Sequence, residues 1–258
     1  MKSVGAVIVT HNSEEYITEC VQSLIKRGVQ EVVVVDSASS DKTQAVVSSL
    51  PVRLIALPEN KGFGAAANVG LSEIDSPHVI LLNPDAVLQS GKIQTAAEYM
   101  DKHPSVAVLG FLLQGEAGDI ERSSWGQRVS PLSMLTRHIS KDATVPTVPQ
   151  PVGWVSGGAM MLRRSEALAL GGFDESFFLY WEDVDLCRRL EEDGKNIVLY
   201  PDVSVRHIRG ASLTDLSRKT RLYDESADRY FRKHYATPIW LLYRLLRHTY
   251  RLFSPQAR

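Results

Sequence analysis

The sequence predicts an α/β fold: a mostly parallel sheet with helices on both faces, followed by C-terminal helices. Three observations predict it. Short, continuous apolar runs rich in β-branched residues recur along the first half of the chain, as expected of strands buried on both faces. Stretches with apolar residues at helical spacing separate them, and this alternation is the pattern of a parallel sheet. Three of the runs stop at polar clusters, His11-Asn12, Asp36-Ser37 and Asn83-Pro84-Asp85. In open α/β sheets ligands bind beyond the carboxyl ends of the strands, so the clusters are predicted to converge on one crevice.

The elements follow in order. Val4–Thr10 is the first strand, and a helix carrying Ile17, Cys20, Val21 and Leu24 on one face follows, with Asn12 or Ser13 as its expected cap. Glu31–Val35 is a second strand that runs into Asp36, and a helix continues through Val47. Val52–Leu57 is a third strand. Residues 60–70 (NKGFGAAANVG) read as a glycine-rich turn leading into a helix. Val79–Leu82 is a fourth strand, a helix covers about 91–102, and Val106–Phe111 is a fifth strand. Residues 114–151 lose this periodicity and hold several Gly, Ser and Pro residues, which suits a lid, a binding loop or a poorly ordered insertion.

Bulk properties exclude some classes. A chain of 258 residues with 44% hydrophobic and 23% charged residues is globular in composition. Its formal net charge of −1 carries no global field toward nucleic acid, so no nucleic-acid partner is expected. Cys20 and Cys187 each sit in an apolar helical pattern, as core thiols do in a reducing compartment. The apolar run at the N-terminus is too short for a signal peptide, and no run reaches the roughly 18 residues of a membrane span.

Residues 152–185 concentrate the chemistry. The aromatic run Phe177–Trp181 leads straight into Glu182, Asp183 and Asp185. Such a stretch is either a core segment entering a helix with an acidic first turn or a pocket floor that holds a carboxylate near a substrate. In the second reading Asp183 is the preferred general base, with Glu182 and Asp185 raising its pKa by like-charge repulsion. Asp36, at a strand end, is either an acceptor for a nucleobase or ribose or a cap for the helix after it. Gly62-Phe63-Gly64 is either a simple turn or a place where the backbone can approach a phosphate, with Lys61 as a cation. The full dinucleotide and P-loop spacings are missing, so neither site is supported. Asp85 either starts an ordinary turn or suits a hard divalent cation that also binds phosphate oxygens, and His207 is either a structural histidine or a nitrogen ligand to that cation.

Taken together, these clusters resemble family 2 glycosyltransferases of the GT-A fold, closest to the bacterial rhamnosyltransferase-like branch. The resemblance is carried by Val9-Thr10-His11-Asn12-Ser13, Val35-Asp36-Ser37 with Ser40-Asp41, Asn60-Lys61-Gly62-Phe63-Gly64 with Asn68 and Gly70, and Leu82-Asn83-Pro84-Asp85. Ser156-Gly157-Gly158-Ala159, Gly171-Gly172-Phe173-Asp174-Glu175, Trp181–Leu186 and His207–Ser212 continue it in the family's order over about residues 4–212. It implies a Rossmann-like GT-A sheet in residues 1–212, with a nucleotide-sugar half (1–112) and an acceptor and catalytic half (113–212), and a helical extension over 213–258. It implies that Thr10, Asn12, Asp36, Asn60, Lys61, Gly62, Phe63, Asn68 and Asn83 hold a nucleotide-sugar. Asn83-Pro84-Asp85 looks like the family's D-x-D motif with Asn in the first position, which leaves Asp85, with His207, to bind Mg2+ or Mn2+. Asp183 matches the base of inverting members, and Trp154, Ser156, Gly157, Trp181 and Glu182 would line the acceptor side. The donor implied is dTDP-L-rhamnose, and the acceptor a glycan or polyprenyl-diphosphate-linked saccharide of a bacterial surface polysaccharide. The rival readings are a UDP- or GDP-hexose donor, a nucleotidyltransferase, and a non-catalytic nucleotide-sugar-binding protein. VTHNSEE lacks the basic glycine-rich signature that a nucleotidyltransferase would be expected to show near its first strand.

The tail is basic: from Arg229 to Arg258 there are seven Lys and Arg residues and no Asp or Glu. Ile239, Leu242, Tyr243, Leu246, Tyr250 and Phe253 recur at helical spacing, with Arg244, Arg247 and Arg251 on another face. That pattern fits either an anionic membrane surface or a helix docked on the domain. The first option gives a cytoplasmic protein peripheral to the inner face of the cytoplasmic membrane, and the second gives a cytoplasmic one.

Overall fold

A computed structural model describes residues 3–131, 145–207 and 216–253. Its strands are β1 (Val4–Thr10), β2 (Glu31–Ser37), β3 (Arg53–Leu57), β4 (His78–Leu82), β5 (Ala86–Ser90), β6 (Val106–Gln114), β7 (Trp125–Gly126), β8 (Gln150–Val152), β9 (Trp154–Val155), β10 (Ala159–Arg163) and β11 (Asn196–His207). The helices are α1 (Ile17–Lys26), α2 (Thr43–Ser48), α3 (Phe63–Glu73), α4 (Ile93–Lys102), α5 (Arg164–Ala169), α6 (Glu182–Glu192), α7 (Leu216–His234) and α8 (Thr237–Phe253).

The main sheet has the order β3-β2-β1-β4-β10-β6-β11-β5, with β8 also paired to β11, and β7 and β9 form a small second sheet. The expected α/β class is present: β3, β2, β1 and β4 are parallel neighbours, and β6 runs parallel to β11. β10 inserts antiparallel between β4 and β6, so one continuous sheet runs through both halves of the chain. The continuous apolar runs have a direct cause. In β1, Val7 and Val9 face a core shared with α3, α6 and α7, while Ala6 and Ile8 face a second core shared with α1 and α4. A strand with helices on both faces has no solvent side on which to alternate.

Three local features differ from expectation. The fourth strand does not pass directly into a helix: β5 intervenes and pairs antiparallel with β11. Helix α1 starts at Ile17 without a side-chain cap. Asn12 cannot cap it because its Oδ1 accepts the Ser40 N–H at 2.8 Å, and Ser13 turns the chain through its carbonyl, which accepts from Tyr16 and Ile17. The aperiodic segment after β6 is ordered where it is described. Gln114 bridges to Ile120, and a 3-10 turn at Arg122–Ser124 leads into β7. Cys20 and Cys187 are both free and buried.

The two C-terminal helices pack on each other. The Tyr243 ring stacks on Phe231 at 3.9 Å, Arg247 pairs with Asp224, and the Trp240 indole N–H donates to Asp228 at 3.0 Å. Leu241, Leu242 and Leu245 remain about half exposed. The side chains of Tyr250, Arg251 and Phe253, and residues 208–212, lie outside the described residues. No helix among the described residues is long and apolar enough to cross a membrane.

Candidate active site

The first turn of α6 carries the three acids, and the structure separates their environments. Tyr180 and Trp181 adopt left-handed backbone angles (φ 68° and 70°) just before the helix. Non-glycine residues there are sterically costly and cluster at functional sites. The turn brings Asp183 beside the loop after β9. Asp183 Oδ2 accepts the Gly157 N–H at 2.9 Å, and Oδ1 accepts the Val184 N–H at 2.8 Å. A Cβ on Gly157 would crowd the Phe63 ring at 3.2 Å and would meet the Asp183 Cβ at an ordinary contact distance of 3.6 Å.

Glu182 is 5% exposed, and its Oε2 has no hydrogen-bond partner. Burial, and then the Asp183 carboxylate, push Glu182 well above the usual carboxylate range. Asp185 is fully buried, its Oδ2 accepts from Arg189 at 2.7 Å, and its Oδ1 meets both His234 and Lys233 at 2.7 Å. Burial alone would raise this carboxyl, but the three bases more than offset that and hold it low. Asp185 is thus committed to ion pairs that tie α6 to α7.

A cavity opens over these groups. Its lining includes Phe63, Asn83, Trp154, Ser156, Trp181 and Asp183. Asn83 is held by its backbone, with its N–H on Gly158 O and its carbonyl accepting from Cys20 Sγ. Trp154 and Trp181 are built into the walls, and Trp181 packs on Tyr223, Tyr230 and Phe231 of α7. Glu182 and Gly157 also line the cavity, as do Ser123 and Tyr223, which sequence reasoning did not single out.

Two residues beyond Asn83, a second group forms. Asp85 is 3% exposed, and its Oδ1 lacks a hydrogen-bond partner. His207 Nε2 stands 3.4 Å from that oxygen, and His207 Nδ1 stands 3.2 Å from Glu121 Oε1. Burial pulls the imidazole down, but the nearby Asp85 and Glu121 carboxylates push it up to about 9. Among the described residues, no three His, Cys, Asp or Glu side chains form a complete metal cage. A buried carboxylate oxygen without a partner, facing one imidazole nitrogen, does fit a hard cation that takes its other ligands from phosphate and water.

The nucleotide-side residues divide. Thr10 Oγ1 donates to Asp36 at 3.0 Å, and the Asn12 N–H donates to Ser39 Oγ at 2.8 Å, so the ends of β1 and β2 do converge. Asp36 is fully buried, and its two oxygens already accept from Thr10, from the Ser39 N–H and hydroxyl, and from Gln44 Nε2. Its acceptor capacity is filled by the protein, so Asp36 organises the loop rather than offering a vacant carboxylate. Asp41, by contrast, binds the Thr43 N–H at 2.9 Å at the start of α2. Asn68 is likewise committed: its amide clamps both backbone groups of Phe173 and reaches Glu175, which ties α3 to the 171–175 loop. Asn60 closes the turn onto the Gly62 N–H at 2.9 Å, and Lys61 pairs with Glu59 on the exposed surface at 3.0 Å. Gly62, at φ +100°, has no room for a side chain, because a Cβ would lie 2.1 Å from Phe178 O. Glu121 was missed outright, since it sits in the aperiodic segment with no pattern to mark it.

The family model "Glycosyl transferase family 2" matches residues 6–168. The chain is 30% identical over 207 residues to N-acetylglucosaminyl-diphospho-decaprenol L-rhamnosyltransferase of Mycobacterium tuberculosis, covering 70% of this chain and 67% of that protein. It is 23% identical over 219 residues to rhamnosyltransferase WbbL of Escherichia coli K12, covering 79% and 83%. Among solved structures it is similar to GalNAc-T7 with UDP, GalNAc and Mn2+, at a TM-score of 0.64 and 17% identity. That match covers 90% of this chain, which spans only half of the longer GalNAc-T7 chain.

Proposed function

The chain belongs to glycosyl transferase family 2, and from that premise we propose that it transfers L-rhamnose from dTDP-L-rhamnose to a lipid-linked saccharide, with inversion at the anomeric carbon. The observation that carries this reading is Asp183, held by the Gly157 N–H at 2.9 Å in the cavity wall. A base must reach the hydroxyl that it deprotonates, and this carboxylate borders a space with aromatic walls.

In the proposed step Asp183 takes the proton of an acceptor hydroxyl. The acceptor oxygen bonds to the anomeric carbon from the face opposite the nucleotide, and the bond from that carbon to the diphosphate oxygen breaks. The proton ends on Asp183 and the electron pair on the diphosphate. A single displacement of this kind inverts the configuration and needs no covalent intermediate. Glu182, Ser156, Gly157, Trp154 and Trp181 would bound the acceptor. The Thr10–Asn12 and Asn60–Phe63 segments, with Asn83, would bound the donor; Asp36 and Asn68 would act there through the loops that they hold. Asp85 and His207 would bind a divalent cation, Mg2+ or Mn2+, which supplies neutralisation of the charge on the departing diphosphate. The half-exposed Leu241, Leu242 and Leu245 support peripheral contact with the membrane that carries a lipid-linked acceptor.

A UDP- or GDP-hexose donor is the second reading, favoured by the fold match to a UDP-bound transferase. One experiment tests both: binding and hydrolysis of a nucleotide-sugar panel with Mn2+, with Mg2+ and with EDTA. Metal-dependent engagement of dTDP-L-rhamnose alone is expected. Selective engagement of a UDP- or GDP-sugar replaces the donor. No engagement of any member, with or without an added saccharide acceptor, overturns the reading.

A further inference from the structure

We propose that Glu121 is a positioning residue: it fixes the His207 ring through Nδ1 so that Nε2 is presented to the oxygen of Asp85. The inference rests on the reading that Asp85 and His207 hold a divalent cation, and it adds a residue that neither the sequence pattern nor the comparisons single out.

Three observations support it. Glu121 Oε1 lies 3.2 Å from His207 Nδ1, while the opposite ring nitrogen lies 3.4 Å from Asp85 Oδ1. A carboxylate that keeps the Nδ1–H leaves Nε2, the nitrogen that faces Asp85, as the one that would give up its proton to a cation. Metal-binding histidines are oriented in this way, and the carboxylate also raises their basicity. Second, Glu121 is only 8% exposed, so its charge is spent on protein partners and not on water.

Third, the backbone aims it. The Glu121 N–H donates to Leu113 O at 2.8 Å, and the tight turn between them is closed by the Gly115 N–H on Asp119 O at 2.8 Å. The Glu121 carbonyl accepts from Ser124 Oγ at 2.6 Å and from the Ser124 N–H at 3.0 Å. On β11, Val205 and Arg206 pair with Leu113 and Gln114, so His207 follows directly from the same strand end. Glu121 and His207 are thus referenced to one point of β6, and their contact does not depend on a mobile surface arm. The same segment places Ser123 in the cavity lining, and the Ser124 carbonyl accepts the Ser156 N–H at 2.7 Å. The stretch after β6 is therefore a built part of the site.

The test is Mn2+ titration of the full chain, followed by electron paramagnetic resonance, with dTDP, UDP and GDP each in turn. Wild type, Asp85→Asn, Glu121→Gln and Glu121→Ala are compared. Glu121→Ala is expected to weaken Mn2+ binding about 10- to 100-fold, and Glu121→Gln, whose amide oxygen still accepts, to recover part of the loss. Mn2+ binding by Glu121→Ala equal to wild type, while Asp85→Asn loses it, overturns the role of Glu121 and leaves the cation reading standing. Asp85→Asn equal to wild type, or no Mn2+ binding by wild type with any nucleotide, overturns the cation reading and the proposal with it. A second readout is the His207 Nδ1–H proton resonance in the Mg2+-loaded protein. It is expected downfield in wild type and shifted upfield in the isosteric Glu121→Gln, which serves if the alanine variant does not fold. An unmoved resonance overturns the proposal.

Discussion

Replacing Asp185 by Asn tests whether the network behind the turn that carries Asp183 is energetic or incidental. The carboxylate is fully buried and meets Arg189, His234 and Lys233, each at 2.7 Å. Removing one partner of a buried ion pair costs about 3–5 kcal/mol, because the remaining charge is left uncompensated. Two of the three partners here keep other contacts. Arg189 retains the carbonyls of Leu170 and Gly172, and Lys233 retains Asp174 at 2.6 Å. His234 loses its carboxylate. The lower end of the range, about 3 kcal/mol, is therefore expected, which at roughly 2–4 °C per kcal/mol for a domain of this size is a fall of about 6–12 °C in Tm. Circular dichroism melts of wild type and Asp185→Asn at pH 7 read it directly. The sign of the pH dependence follows from the depressed carboxyl. Its stabilisation is complete above the unfolded carboxylate value of about 3.9 and is lost as pH falls through the lower folded value. The difference between the two proteins should therefore be full at neutral pH and shrink below about pH 4. A Tm change under about 2 °C at pH 7, or a gap that grows on acidification, would refute the reasoning.

Asp183→Asn should lower the rate of sugar transfer by about 10²- to 10⁴-fold, measured with the donor that the panel selects; unchanged turnover removes Asp183 as the base. Gly62→Ala places a Cβ 2.1 Å from Phe178 O at a φ of +100°. It should destabilise by more than about 1 kcal/mol in urea unfolding, beyond the ordinary benefit of removing a glycine; a wild-type midpoint would contradict the close approach. Leu242→Glu together with Leu245→Glu removes two half-exposed apolar side chains from α8. Cosedimentation with vesicles containing anionic phospholipid should fall by at least about tenfold, since burying each leucine contributes about 1.5–3 kcal/mol. Equal sedimentation of variant and wild type would remove that face as a membrane contact.

Much of the scaffold is written locally. β1 and β2 announce themselves because a strand covered by helices on both faces must be apolar at every position, and no tertiary knowledge is needed to see Val4–Thr10 or Val32–Val35 in that light. The acidic first turn of α6, the glycine turn before α3 and the polar ends of β1, β2 and β4 are equally local, and they led to the family. Pairing is a different matter. The antiparallel insertion of β10 between β4 and β6, and the short β5 strand on β11, depend on which distant segment arrives beside each edge. The same distinction divides the site residues. Asp36 and Asp183 are both acids at the ends of regular elements, yet Asp36 is saturated by Thr10, Ser39 and Gln44 while Asp183 borders a cavity. Asp185, two residues beyond Asp183, meets His234 49 positions away, and His207 meets Glu121 86 positions away. Residue type and spacing determined where the sheet and its acids lie along this chain. Which acids border the cavity and which are tied into the scaffold was decided only in three dimensions, because partners such as Thr10 on Asp36 and His234 on Asp185 come from segments that no local period connects.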